Sequence, residues 1–493
     1  MVKNFFILFA ACITPLLMIL AKINAYTFIF PIVQTMLVVS ALILAIVFTV
    51  QALAPRLLNK FSITASLAIL LFVILNQIPI LIVLLLISAF AYHIAQMNDE
   101  RIPFVQNSVL AILLCQSGIL LAVIFLYPVW EMQKAKLNLS FHDELTVDFQ
   151  SGEKPDIYYI ILDGYAREDI LKDYYQVTDT PLYQYLKDNL FFVADRSHAN
   201  YAQTSLSLAS SLNYDYIPNL FERIDPSHPS RLSLHRMISQ NRIMKILRQN
   251  GYHILTFHTG YHLTEIPSAG HYLHKKFVIH EFQKTFIGIL TRTSMFKDFF
   301  YDDHRNNILY TLSALKTTSS LPSPRFVFAH IICPHSPFVL SKKDGHIYPS
   351  YYYSIIDGCH LIKNNTSRSW YIQNYAQQLL YIDDLVIDTL THILKHSRMP
   401  LIIVLQSDHG PASTFTWEKM TMDGARERMS ILNALYCSDK ELPFYRSITP
   451  VNTFRIILNH FTNANLKLLE DQCYFSSWDT PFDFYKVPEE YLQ

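Results

Sequence analysis

The distribution of apolar and polar positions divides the chain into two unlike parts. Five long apolar runs, 4–22, 27–53, 61–77, 79–96 and 104–128, occupy its first quarter. Each approaches the roughly 20 residues that a helix needs to cross a hydrocarbon core of about 30 Å. The third and fourth are separated only by the Asn76-Gln77-Ile78-Pro79 region, which reads as a tight helical hairpin. The first run has no clear small-residue cleavage site and four more runs follow it, so it is read as a retained helix rather than a leader. Residues 131–154 are a polar connector.

From residue 155 the pattern changes to short buried runs separated by amphipathic stretches. Ile157 to Leu162 is a brief β-branched and aromatic run that predicts a strand buried on both faces. Helical patterns follow at 165–175 and 181–189, and a strand at 191–195. Residues 233–251 predict one amphipathic helix closed by Gly251, with a strand at 252–257 after it. A strand at 325–332, a long helix at 371–396 and a strand at 401–406 complete the pattern. Strands alternating with helices predict a mostly parallel sheet covered on both faces. The fold class is therefore an α-helical membrane region, about five helices over 1–130, followed by an α/β three-layer domain over 155–493.

Composition sharpens this division. Hydrophobic residues make up 51% of the 493 and charged residues 16%. Residues 1–130 hold only Lys3, Lys22, Arg56, Lys60, Arg101, Asp99 and Glu100; the chain has 40 basic and 40 acidic residues, so 35 and 38 lie beyond. That balance gives no basic face for nucleic acid. Lys3, the Arg56/Lys60 pair and Arg101 fall on one side if all five helices span, which makes that side cytoplasmic and places the large domain outside. Trp130, Tyr127 and Pro128 suit an interfacial exit. If one run only re-enters the bilayer, the domain would instead be cytoplasmic. Cys333, Cys359, Cys437 and Cys473 include no C-x-x-C pair, and they leave open either two disulfides or four thiols.

The candidate chemistry collects where strands end. Ligands in such sheets bind beyond the carboxyl ends of the strands. Asp163-Gly164, the segment His330 to His335, and Asp408-His409-Gly410 all stand at such ends. Asp163, Asp408 and His409 together offer two carboxylates and an imidazole, a set suited to zinc, manganese or magnesium. Taken singly, an Asp-Gly strand end is more often turn chemistry. The segment 197–213 is crowded with six Ser and Thr hydroxyls. It reads as a helix start with Thr204 or Ser205 as its cap, and a hydroxyl there sees backbone N–H groups that also attract phosphate. Beside a metal, such a hydroxyl becomes a nucleophile. His335, with proline on both sides of His335-Ser336, is held to donate a proton or meet a phosphate oxygen, unless it is simply a surface loop histidine. The run 348–354, rich in tyrosine, reads as cleft lining, a bilayer contact or plain aromatic packing.

These clusters, in this order, resemble the alkaline phosphatase superfamily and, within it, the sulfatase-like domains of membrane enzymes. DIYYIILDGY resembles the first strand with its metal-binding acid, Asp163. TSLSLASSLN resembles the nucleophile helix, and alignment on Ser207 and Ala209 places the nucleophile at Thr204, beside and touching the metal. PHSPF resembles the substrate-side histidine segment, here His335, and SDHG implies Asp408 and His409 as metal ligands. RMSILNALY and SITPVNTFRIILN resemble the family's later segments, so the likeness spans about 155–460. The layout is similar to that of lipoteichoic acid synthases and lipid A phosphoethanolamine transferases. The resemblance implies an alkaline phosphatase-like fold and one divalent metal, or two if Asp383, Asp384 or His330 contributes. It also implies a phospholipid head group as donor and an envelope glycan, lipid or water as acceptor, at the outer face of the cytoplasmic membrane. Position 204 is threonine, where sulfatases carry the cysteine or serine that becomes formylglycine, and the C-x-P-S-R pattern is absent. Sulfuric ester hydrolysis and a non-catalytic envelope protein stand as the alternatives.

Overall fold

The computed structural model describes residues 154–267, 271–273 and 297–493 with short gaps, together with Leu145 and 147–149. The five apolar runs, and with them the membrane region and most of the connector, lie outside the described residues. Among the described residues no helix is long and apolar enough to cross a membrane.

A seven-stranded sheet forms the centre of the described domain. Its strands in chain order are β1 (Asp156–Leu162), β2 (Phe192–Val193), β3 (His253–Phe257), β4 (His271–Leu273), β5 (Arg325–Ile331), β6 (Leu401–Gln406) and β7 (Asn433–Cys437). They lie in the order β2-β7-β6-β1-β5-β3-β4. The pairs β1·β5, β1·β6, β3·β5 and β3·β4 are parallel, while β7 runs antiparallel to both β6 and β2. The sheet is thus mostly parallel, as the alternating pattern predicts.

The central strand shows why its sequence reads as continuous apolar residues. Tyr158, Ile160 and Leu162 point into one core and Ile157, Tyr159 and Ile161 into the other. A strand flanked by two cores has no solvent face, so alternation disappears. The first core is closed by α1 (Glu168–Tyr175), α2 (Pro181–Asp188) and the long helices α6 (Lys297–Thr317) and α8 (Arg368–His396). The second is closed by α3 (Thr204–Leu212), α4 (Leu232–Ser239), α5 (Arg242–Gln249) and α10 (Pro450–Phe461). This is a three-layer arrangement. Two further helices, α7 (Gly358–Asn364) and α9 (Met422–Met429), carry residues of the site.

The single helix predicted over 233–251 is two helices, α4 and α5. Asn241 accepts from Met244 N at 2.8 Å and so caps a new helix, while Arg242 N donates to Asn213 Oδ1 at 3.0 Å. The chain turns at this point because polar partners satisfy the freed backbone. The tyrosine-rich run 348–354 is largely packing: Tyr351 stacks edge-on against Tyr301 and Trp370, and Tyr353 packs on Phe300 and His304. Cys333, Cys359, Cys437 and Cys473 are all free thiols, which settles the disulfide alternative.

Candidate active site

Three adjacent parallel strands, β5, β1 and β6, bring their carboxyl ends together. Asp163 follows β1, and its N–H continues the ladder by donating to Ile331 O at 2.9 Å. Gly164 comes next with φ +73°, and its N–H donates to Asp408 Oδ1 at 3.3 Å. Across the rim, Ser407 fastens the exit of β6 to that of β1: Tyr165 N donates to Ser407 Oγ at 2.9 Å, and Ser407 Oγ donates to His409 O at 2.7 Å. Gly410 is required for a different reason. A Cβ there would lie 2.1 Å from Glu427 O, and Gly410 N donates to Arg428 O at 2.6 Å. The glycine of the Asp-His-Gly run lets one backbone pass directly against another.

Ligand atoms from Asp163, Asp408 and His409 lie within 4.8 Å of one another, and all three side chains are buried. It is the only group of three or more His, Cys, Asp or Glu with metal-holding geometry among the described residues. His409 Nε2 is 3.3 Å from Asp408 Oδ2 and 3.7 Å from Asp163 Oδ1. His409 Nδ1 lies 3.0 Å from Gly410 O, so it carries the proton and leaves a lone pair on Nε2. Burial, helped by the charge of Arg428, holds the imidazole below its ordinary pKa and therefore neutral. Asp163 Oδ1 and Asp408 Oδ2 are buried without any hydrogen-bond donor. Two orphaned carboxylate oxygens facing a neutral imidazole nitrogen would be costly alone. They fit a divalent cation.

Thr204 completes the set. Its Oγ1 is 3.0 Å from His409 Nε2. Gln203, not Thr204 or Ser205, takes the cap position of α3, in extended backbone conformation. That correction frees the Thr204 hydroxyl for the site. Gln203 is itself clamped: Arg231 Nε and Nη2 donate to its Oε1 at 3.1 and 2.9 Å, and its Nε2 donates to Ser476 Oγ at 3.1 Å and Ser477 O at 3.0 Å. Thr204 and Ser205 are the first two residues of α3, where N–H groups lack intrahelical partners, and both line the cavity.

His330 and His335 have different tasks. His330 Nε2 lies 3.1 Å from Asp163 Oδ2, and its Nδ1 3.0 Å from Thr264 Oγ1. Both nitrogens are thus engaged, and His330 fixes which Asp163 oxygen faces the centre instead of holding a second metal. Asp383 and Asp384 do not reach the site as ligands either. Asp383 accepts from Tyr165 Oη at 2.7 Å within the core, and Asp384 is exposed and pairs with Lys342. His335 is buried rather than a surface loop residue. Its Nδ1 lies 2.6 Å from Ser336 O and its Nε2 3.3 Å from Asp357 Oδ1. Burial opposes its protonation, but the Asp163 charge and the Asp357 hydrogen bond prevail and push it up to about 9.

Asp357 and Arg428 give no sequence signal and are central here. Asp357 precedes α7, and its carboxyl is held well below the usual range: burial would raise it, but Arg428 and His335 outweigh that. Arg428, on α9, is fully buried. Its Nη2 is 2.8 Å from Asp357 Oδ1, its Nε donates to Ala202 O at 2.9 Å, and its Nη1 donates to Gly410 O at 3.0 Å. One guanidinium therefore ties the residue before Gln203, the residue after His409 and the partner of His335. These groups surround a cavity of about 400 Å³, which Tyr261, His360 and Trp478 also line.

A mostly parallel sheet with a buried carboxylate, imidazole and hydroxyl cluster on its carboxyl rim defines an α/β domain with a candidate active site at its strand ends. The sulfatase family model matches residues 155–427, more than half of the chain, and the chain belongs to that family, within the alkaline phosphatase superfamily. Solved structures similar to it include the periplasmic domain of the Escherichia coli protein EptC in complex with zinc, at 13% identity and TM-score 0.42, covering 69% of this chain and 94% of that one. The integral membrane lipooligosaccharide phosphoethanolamine transferase EptA of Neisseria meningitidis is similar at 12% identity and TM-score 0.42, covering 94% and 95%. The phosphonate monoester hydrolase of Agrobacterium radiobacter is similar at 12% identity and TM-score 0.39, covering 65% and 80%. No curated protein matches the chain in sequence.

Proposed function

We propose that the chain is a membrane-anchored, metal-dependent phosphoryl-group transferase or hydrolase with Thr204 as its nucleophile, its catalytic domain on the outer side of the cytoplasmic membrane. One observation carries the reading: Thr204 Oγ1 stands at the start of α3, 3.0 Å from the His409 lone pair, beside two carboxylate oxygens with no donor. Asp163, Asp408, His409 and Thr204 would hold the cation. When bound, a divalent ion there favours the alkoxide of Thr204 and offsets charge on phosphoryl oxygens.

The chain's own groups do the rest. The helix start at Thr204 and Ser205 faces an anionic group. Thr204 gives its hydroxyl proton to solvent and its Oγ bonds to phosphorus as the P–O bond to the donor's ester oxygen breaks, that oxygen leaving with a proton from His335 or water. His335, its Nε2 shared with Asp357, presents a cationic donor to a phosphoryl or departing oxygen. An acceptor hydroxyl or water then attacks the phosphothreonine and restores Thr204. The apolar runs of 1–130 suit a phospholipid head group as donor and an envelope glycan or lipid as acceptor. Formylglycine chemistry does not fit, because the threonine Cβ bears a methyl group and cannot be oxidised to an aldehyde.

The test is to incubate the full chain with phospholipid and metal, then map covalent adducts by peptide mass spectrometry. A phosphoryl-type adduct on Thr204, absent in Thr204→Ala, is the expected result. Turnover of phospholipid by Thr204→Ala at the wild-type rate would overturn the nucleophile assignment.

A further inference from the structure

Tyr261 stands on the cavity wall with Asp163, Thr204 and His335, and its place there is built. The loop after β3 turns at Gly260, whose φ is +80°. Glu265 Oε1 accepts from Thr259 N at 3.1 Å and Gly260 N at 3.0 Å, which fixes the turn immediately before Tyr261. Thr264 Oγ1 in the same loop lies 3.0 Å from His330 Nδ1, and His330 holds Asp163. The loop that presents Tyr261 is thereby tied to a proposed metal ligand through two hydrogen bonds.

The phenol itself is left over. Its backbone N–H and carbonyl have partners in Thr259 and Thr264, but among the described residues its hydroxyl has none. A polar atom lining a cavity without a protein partner is satisfied by water or by ligand. Burial raises its pKa, Arg231 opposes, and the charges of Asp357, Asp163 and Asp408 raise it further. The phenol therefore stays protonated and keeps an O–H to donate. Three carboxylates near it give a donor that is not spent on any of them.

We propose that Tyr261 is a further catalytic residue, whose O–H donates a hydrogen bond to a non-bridging phosphoryl oxygen while Thr204 attacks. This rests on the Thr204 phosphoryl-transfer reading. The proton stays on Tyr261 throughout, so no atom is exchanged; the bond to Thr204 forms and the ester bond breaks as before. A fixed donor of this kind is worth on the order of 10²-fold in turnover.

The experiment compares wild type and Tyr261→Phe as full-length protein, with an aryl phosphodiester and a phospholipid as substrates. Phenylalanine keeps the ring and removes only the hydroxyl. The expected result is a kcat lowered roughly 10–100-fold by the same factor for both substrates, with KM, metal content and melting temperature unchanged. Inhibition by vanadate should weaken by a similar factor. Unchanged kcat in a wild type that forms phosphothreonine would overturn the inference and leave the nucleophile reading standing. A loss much greater for the phospholipid, whose leaving oxygen is the more basic, would overturn it too, because Tyr261 would then protonate the leaving group. A wild type that forms no phosphothreonine would overturn both.

Discussion

Replacement of Arg428 by methionine tests how the site is held together. The side chain is 1% exposed and packs against the rings of Phe415 and Trp417, with its guanidinium carbon 5.1 and 5.6 Å from their centroids. Methionine retains much of that packing but removes every donor. Ala202 O and Gly410 O lose partners at 2.9 and 3.0 Å, and Asp357 loses its cation at 2.8 Å. Removing one member of a buried ion pair costs about 3–5 kcal/mol, because the remaining charge stays buried. For a domain of this size that corresponds to a melting temperature lower by on the order of 10 °C. The assay is thermal unfolding of wild type, Arg428→Met, Asp357→Asn and the double variant. In the double variant neither Arg428 nor Asp357 is left facing the gap of the other, and the loss of the Asp357 contact to His335 is already counted in Asp357→Asn, so it should be more stable than the sum of the single losses by about 1.5 kcal/mol or more. Additivity to within about 0.5 kcal/mol would refute the view that Arg428 and Asp357 act as a pair.

Other perturbations follow from the same geometry. Burial, opposed by the hydrogen bond from Tyr165, pushes Asp383 up to about 7 from an ordinary 3.8. A raised carboxyl pKa means that stability is greatest where the group is protonated in both states and falls as pH rises from about 4 to 7. The loss is on the order of 4 kcal/mol. Asp383→Asn should flatten that decline and be the more stable protein at pH 8; equal pH profiles in thermal unfolding would contradict it. Gly410→Ala places a methyl 2.1 Å from Glu427 O, so it should cost about 3 kcal/mol or more and displace His409. A soluble variant with wild-type melting temperature would show that the backbone contact at Gly410 is not tight.

The strands and the heart of the site were legible because they rest on local patterns. A run such as Leu401 to Leu405, apolar and unbroken, leads through Gln406 and Ser407 to Asp408-His409, and strand-end logic alone directs attention to its rim. The crowd of hydroxyls drew attention to one helix start, and the resemblance to the family's nucleophile helix singled out Thr204 within it. The rest depends on tertiary packing. Asp357 and Arg428 come from a loop and from α9, and nothing in their local sequence marks them until 2.8 Å separates them. Tyr261 is one of many tyrosines, and only the fold shows its hydroxyl unspent. The break between α4 and α5 is set by Asn213, 29 residues away from Arg242. Helix α6 escaped notice because Lys297 to Asn307 mixes charge and aromatics without a clear apolar stripe.

The most direct test of the site is the metal content of the purified full chain, by elemental analysis, beside Asp408→Asn. Wild type supplied with manganese, zinc or magnesium should carry close to one equivalent of a divalent ion, and Asp408→Asn should lose it, since Asp408 Oδ2 has no other partner. No bound metal in the wild type after exposure to all three ions would contradict the reading of Asp163, Thr204, Asp408 and His409 as a metal-assisted nucleophile site.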